Sequence, residues 1–142
     1  MNESIKAEVL ALREKRNIAY VGSVNEEGFP QIKAMMVPEH KSTQVQYFST
    51  NTSSKRVKQF MKNPNASVYY CDDVAFKGAL FTGTISVCTD HDTKASIWRE
   101  GDEKYYPQGI DDDDYCVLKF TATTVNYYHG LQNHTFPVAD LL

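Results

Sequence analysis

The sequence predicts a mainly β fold: an antiparallel barrel of six to seven short strands with few helices. Short runs rich in β-branched and aromatic residues recur along the chain, separated by Gly, Pro, Asn and Asp. They follow one another too closely for the helical crossovers that a parallel sheet requires. Helical periodicity is confined to three short stretches. The length, 142 residues, suits one domain around one core, read here as residues 1–142, with a helix over 1–16 and a tail over 130–142.

Asn2 or Ser4 can cap the first helix, whose Ile5, Val9 and Leu12 form one apolar stripe. Ile18 to Val24 and Gln31 to Val37 read as strands joined by the turn Asn25-Glu26-Glu27-Gly28, where Gly28 is free to take positive φ. On the second strand Lys33, Met35 and Val37 share one face, and Ile32, Ala34 and Met36 the other. Gln44 to Ser49 is the third strand. Thr50 to Ser54 break it with side chains that favour turns and caps. A short helix then runs to about Lys62, burying Val57, Phe60 and Met61, and Asn63-Pro64-Asn65 ends it. Ala66 to Cys71 and Ala79 to Cys88 are further strands. Asp90 to Arg99 reads as a helix capped by Asp90 or Asp92, with Ile97 and Trp98 as packing residues. After a long loop over Gly101 to Asp114, two strands, Tyr115 to Thr121 and Thr123 to His129, close the domain.

Composition narrows the function classes. Hydrophobic residues make up 42% and charged residues 23%, as in ordinary globular domains. No apolar run has the length of a membrane span. The charged N-terminal stretch lacks the apolar core of a secretory signal, so a cytoplasmic location is expected. Cys71, Cys88 and Cys116 are odd in number, lie outside any CxxC pair and read as reduced core thiols. His40, His91, His129 and His134 have no ligand spacing, and no metal is assigned. The net charge of -3 argues against nucleic-acid binding.

Charge distribution is more informative than its sum. From Lys41 to Cys71 there is no acidic residue, while Lys41, Lys55, Arg56, Lys58 and Lys62 give the stretch a charge of +5. An acidic chain with one basic segment points to an anionic ligand there. The segment Phe48 to Lys55 joins a strand to a helix start, where free backbone N–H groups and the helix dipole favour an anion. Ser49, Thr50, Ser53 and Ser54 add hydroxyls. Lys55 and Arg56 occupy the first helical turn, where cations are disfavoured by a few tenths to about one kcal/mol each. A bound phosphate would reverse that penalty; a solvated basic face with Ser53 as a routine cap is the alternative. Lys33 can reach the same phosphate or simply protect an edge strand.

The string Phe48-Ser49-Thr50-Asn51, Ser54-Lys55 and Asn63-Pro64 follows a hairpin ending in Gly28-Phe29-Pro30 and a strand carrying Lys33. It resembles the pyridoxamine 5'-phosphate oxidase-like family. Gly83, Trp98 and Tyr106-Pro107 fit its short general stress protein branch. The resemblance covers roughly residues 5 to 130. It implies a split β-barrel homodimer with FMN at the subunit interface. By the same resemblance Lys33 lies near the phosphate, and Thr50, Asn51, Ser54 and Lys55 form the phosphate loop, with Lys55 pairing directly. Met35 and Ser49 would lie nearer the ring and ribityl chain, Phe81 or Thr82 would contribute from a neighbouring strand, and Trp98 and Tyr106 would come from the partner subunit.

The chain also departs from the true oxidase. That enzyme has Arg-Lys where Ser54-Lys55 stands here, and a glutamine near the position of Gly78. Its C-terminal segment is rich in arginine and contains tryptophan, whereas neither residue follows His129 here. The expected function is therefore an FMN-dependent oxidoreductase of unknown substrate, not pyridoxamine 5'-phosphate oxidation. The alternatives are a non-catalytic flavin carrier or stress-linked sensor, or a binder of haem, a deazaflavin or an anionic polymer. No catalytic residue is assigned; Tyr69, Tyr70, Tyr105 and Tyr106 are the candidate proton donors.

Overall fold

A computed structural model describes residues 2–39 and 42–142. Met1, His40 and Lys41, the last a member of the basic segment, lie outside the described residues. In chain order the elements are α1 (Glu3–Lys15), β1 (Ile18–Val24), β2 (Pro30–Met36), β3 (Val45–Asn51), α2 (Lys55–Lys62), β4 (Asn65–Asp72), β5 (Lys77–Cys88), α3 (His91–Ile97), β6 (Tyr115–His129) and β7 (Gln132–Pro137). Short 3-10 turns cover Asp102–Lys104, Gly109–Asp111 and Val138–Leu141. No described helix is long and apolar enough to cross a membrane.

The seven strands form one antiparallel sheet in the order β2-β1-β4-β5-β6-β3, with β7 also paired to β6. Alternation decides what lies inside. Gln46, Phe48 and Thr50 of β3 point inward, as do Ala66, Val68 and Tyr70 of β4 and Cys116, Leu118, Phe120 and Ala122 of β6. Val9 and Leu12 of α1 join this core, with Ile5 partly buried against it. The α1 cap is Asn2, whose side chain accepts from the Ser4 N–H at 2.8 Å. The buried Arg13 donates to the carbonyls of Ser42 and Glu39 at 3.0 and 2.9 Å and lies over the Tyr70 ring, fixing the chain between β2 and β3. A second cluster, Ile97, Tyr106, Tyr115 and Val117, packs α3 and the loop after it on the outer face of β6.

Three expectations are corrected. The two strands expected over 115–129 are one strand, β6, which carries an extra residue at Thr123. The register passes from Thr82↔Thr124 to Gly83↔Ala122, so the buried positions change parity from 116, 118, 120 and 122 to 125 and 127. The tail beyond Gly130 supplies the seventh strand, β7, through a turn in which Gly130 has φ +59°. Finally, α2 rests on the core through Val57 and Phe60, while Met61 is 72% exposed.

Candidate functional site

The two ends of the strand path, β2 and β3, are not paired to each other, yet they border the same cleft of about 440 Å³. The sheet has thus rolled into a barrel that stays split between these strands. From β2 the cleft receives Lys33, Met35 and Met36, and from β3 Ser49, Thr50 and Asn51. Arg56 of α2 closes one side. The loop after α3 supplies Arg99, Lys104, Tyr105 and Tyr106, along with the acids Glu100 and Asp102. Met35 is buried on the core face of β2, and Lys33 shares that face but is exposed at the opening. Every residue in Ser49–Asn51 borders the cleft because β3 is an edge where the barrel opens.

Arg56 is the most informative side chain in the wall. Its Nε is buried without a hydrogen-bond partner. Desolvation pushes the guanidinium below its ordinary pKa, although a guanidinium remains charged at neutral pH. A partly desolvated cation with an unused donor is completed by an oxyanion, which can accept from several guanidinium N–H groups at once. Lys33, Arg99 and Lys104 form none of the ion pairs found among the described residues. The cleft therefore offers unpaired positive charge beside the Ser49 and Thr50 hydroxyls, the Asn51 amide and the flat or polarisable groups of Met35, Met36, Tyr105 and Tyr106.

The strand-to-helix junction is built differently from a bare anion nest. The Thr52 N–H donates to the Asp114 carbonyl at 2.7 Å, the Ser53 N–H to Asp114 Oδ1 at 2.9 Å and the Ser54 N–H to the Asn51 carbonyl at 3.0 Å. Ser54 is the helix cap; its buried Oγ accepts from the Val57 N–H at 3.3 Å. The acid that the local sequence lacks at the positive end of α2 is thus supplied from far along the chain by Asp114. Asn51 Nδ2 donates to Ser53 Oγ at 3.0 Å.

The remaining expected site residues lie elsewhere in this chain. Lys55 is exposed and lines a separate groove with Asn25, Glu26, Lys58 and Lys62, where Lys62 pairs with Glu26. Thr82 is exposed on β5 in a groove with Gly22, Ile32 and Ser67. Trp98 is half-buried behind the cleft wall, its ring 5.2 Å from Tyr115 and 6.3 Å from Tyr106. Phe81 is fully buried in the core.

Of the four candidate tyrosine donors, Tyr105 and Tyr106 reach the cleft. Burial pushes the Tyr106 hydroxyl up to about 12, so it is a protonated donor at neutral pH. Tyr70 donates to Gln46 Oε1 at 2.7 Å inside the barrel, and Tyr69 pairs with the Tyr128 hydroxyl. Sequence reasoning missed Arg99 and Lys104 as cleft residues; it had Arg56 as a first-turn cation and Tyr105 as a candidate donor. The unpaired cation at Arg56 was visible in the sequence, but its direction was not.

A family model described as pyridoxamine 5'-phosphate oxidase matches residues 5–129. A solved Clostridium acetobutylicum structure, described as related to general stress protein 26 of B. subtilis and of the pyridoxinephosphate oxidase family, is 40% identical. It superposes with a TM-score of 0.90 over 100% of both chains. A Nostoc punctiforme protein described as pyridoxamine 5'-phosphate oxidase-related and FMN binding has 12% identity and a TM-score of 0.70, over 91% of this chain and 86% of that one. A heme binding protein from Mycobacterium smegmatis, 14% identical, has a TM-score of 0.71 over 99% of this chain and 60% of its own. The latter two are similar in fold. No curated protein matches the sequence.

Proposed function

Because the chain belongs to the pyridoxamine 5'-phosphate oxidase family, we propose that it binds FMN in the cleft between β2 and β3 and serves as an oxidoreductase. The observation that carries this reading is the buried, partnerless Nε of Arg56 in a cleft whose other cations are also unpaired. The volume, about 440 Å³, falls in the range of small-molecule sites, roughly 300–1,000 Å³. Arg56 and Lys33 hold the phosphate, assisted by Thr50 and Asn51. Ser49 hydrogen-bonds the ribityl chain, and Met35, Met36 and Tyr105 flank the ring. Lys55 is retained as a long-range cation near the same helix end, and Ser54 as the residue that orients that end. When bound, the flavin supplies hydride or electron transfer. The chain positions it, limits water access and presents the Tyr106 hydroxyl as a donor.

We further propose a homodimer that covers this cleft. Ile18, Tyr20, Ile32 and Met36 form an exposed apolar face on β1 and β2, and Met36 also lines the cleft. Ile32 also lines the groove that holds Thr82, so a second copy on that face would place Thr82 at the subunit boundary.

The test begins with the absorption spectrum of the purified protein and fluorescence titrations with FMN and riboflavin. FMN is expected to bind more tightly, by the contribution of its phosphate. Equal affinities would remove the phosphate site, and a haem spectrum would replace the cofactor. Bleaching of bound flavin by NADH or NADPH, with reoxidation by an added acceptor, is expected of an oxidoreductase. A flavin that never bleaches identifies a carrier.

A further inference from the structure

Asp114 lies outside the cleft, yet it holds the segment that forms the cleft's polar end. Its carbonyl and its carboxylate accept from consecutive amides, Thr52 and Ser53. These amides lie between Asn51, which lines the cleft, and Ser54, which caps the helix bearing Arg56. Asp114 is itself held: its own N–H donates to Asp112 Oδ1 at 2.9 Å. The other Asp112 oxygen accepts from the Gln108 N–H at 3.0 Å, and the Asp112 carbonyl accepts from the buried Lys94 at 3.1 Å. Lys94 lies over the Tyr115 ring, against which Tyr106 and Trp98 pack. Ring packing and the Lys94 cation–π contact therefore join the aromatic wall of the cleft to a run of hydrogen bonds that passes from Lys94 through Asp112 and Asp114 to the strand-to-helix junction.

We propose that Asp114 is a positioning residue for the flavin phosphate, acting through Ser53 to fix Asn51 and Arg56. This rests on the FMN reading above. A carboxylate is an unexpected choice near a phosphate, since the two repel. Its advantage is geometric: a charge-assisted acceptor is stronger than a neutral one and fixes the amide more firmly. An asparagine would keep an oxygen for the Ser53 N–H while removing the repulsion. An alanine would remove the acceptor. Both substitutions remove the repulsion, but only the alanine also removes the acceptor, so together they separate the hydrogen bond from the charge, and position 114 does not line the cleft.

The experiment measures FMN and riboflavin affinities of the wild-type chain, Asp114→Ala and Asp114→Asn, together with their thermal melts. Asp114→Ala is expected to weaken FMN about tenfold, as for one lost charge-assisted hydrogen bond, and to leave riboflavin affinity unchanged. Asp114→Asn is expected to restore wild-type FMN affinity or exceed it. Equal losses for FMN and riboflavin in Asp114→Ala, or failure of Asp114→Asn to recover a folded Asp114→Ala phenotype, would overturn the positioning role. So would full FMN affinity in Asp114→Ala. If the wild-type chain does not prefer FMN over riboflavin, the phosphate reading itself fails and takes this proposal with it.

Discussion

Arg56 and Lys55 are neighbours in sequence but about 100° apart around the helix, and that rotation separates their roles. Arg56 enters the cleft with an unused buried donor. Lys55 projects into the groove on the other side of α2. Arg56→Ala is therefore predicted to weaken FMN by about 1.5–3 kcal/mol, the range for hydrogen bonds to charged groups. Lys55→Ala should weaken it by less, about 1 kcal/mol or below, as a solvent-screened charge. Flavin fluorescence quenching checks both, and the reverse order would move the phosphate to the Lys55 side. The basic segment and the Ser49–Asn51 string were legible in the sequence because charge runs and cap residues are local properties. Which of two adjacent cations faces the cleft was not, since that depends on how the helix seats Val57 and Phe60. Asp114 was hidden for the same reason: the junction it serves lies 61 residues away. Arg99, Lys104 and Tyr105 sit in a loop with no periodicity to orient them.

The elements were legible where alternation or caps mark them. The β1–β2 hairpin follows from Asn25, whose Oδ1 accepts from the Glu27 and Phe29 N–H groups, and from Gly28 at φ +85°. The α3 cap, Asp90, accepts from the Thr93 N–H at 2.9 Å. Strand β7 was not legible because Gln132–Thr135 are all exposed and pair through the backbone, leaving no apolar pattern. Strand β6 looked like two because the extra residue at Thr123 reverses its inside and outside faces. Opposite that irregularity sits Gly83, where an added Cβ would lie 2.0 Å from the Thr121 carbonyl oxygen and 2.9 Å from the Ala122 Cα. Both are backbone atoms of a central strand, so no side-chain rotation relieves the clash. Gly83→Ala is predicted to destabilise the fold by about 3 kcal/mol or more, the upper range for overpacking, as measured by urea unfolding. Gly78→Ala meets side-chain atoms of Tyr69 and Tyr128 instead, the nearest being the Tyr69 hydroxyl. These can move, and its loss should be smaller. Near-equal stabilities of the two variants would mean that the bulge is not rigid.

At the scale of the molecule, the rolled sheet leaves an apolar face without a cover within the chain. The β1–β2 register sets Ile18 opposite Met36, Tyr20 opposite Ala34 and Gly22 opposite Ile32, so all these side chains share one side of the sheet. Ile32 is 77% exposed and Met36 65%. Such a contiguous patch on an edge strand marks an interaction surface more often than a solvated one, and a two-fold pair is the commonest way to cover it. If Ile32 were free in solution, Ile32→Lys would change stability by no more than about 0.5 kcal/mol and leave every other property alone. In the proposed dimer it buries two unpaired ammonium groups, one from each copy. The prediction is that Ile32→Lys remains folded by circular dichroism, runs as a monomer by light scattering and binds FMN more weakly than the wild-type dimer. The loss of affinity follows because Ala34 and Met36 connect this face to the cleft wall: a second copy that covers the face also shields the flavin from water. A variant that remains dimeric with undiminished affinity would place the subunit contact on another surface and leave the cleft open to solvent in the working protein.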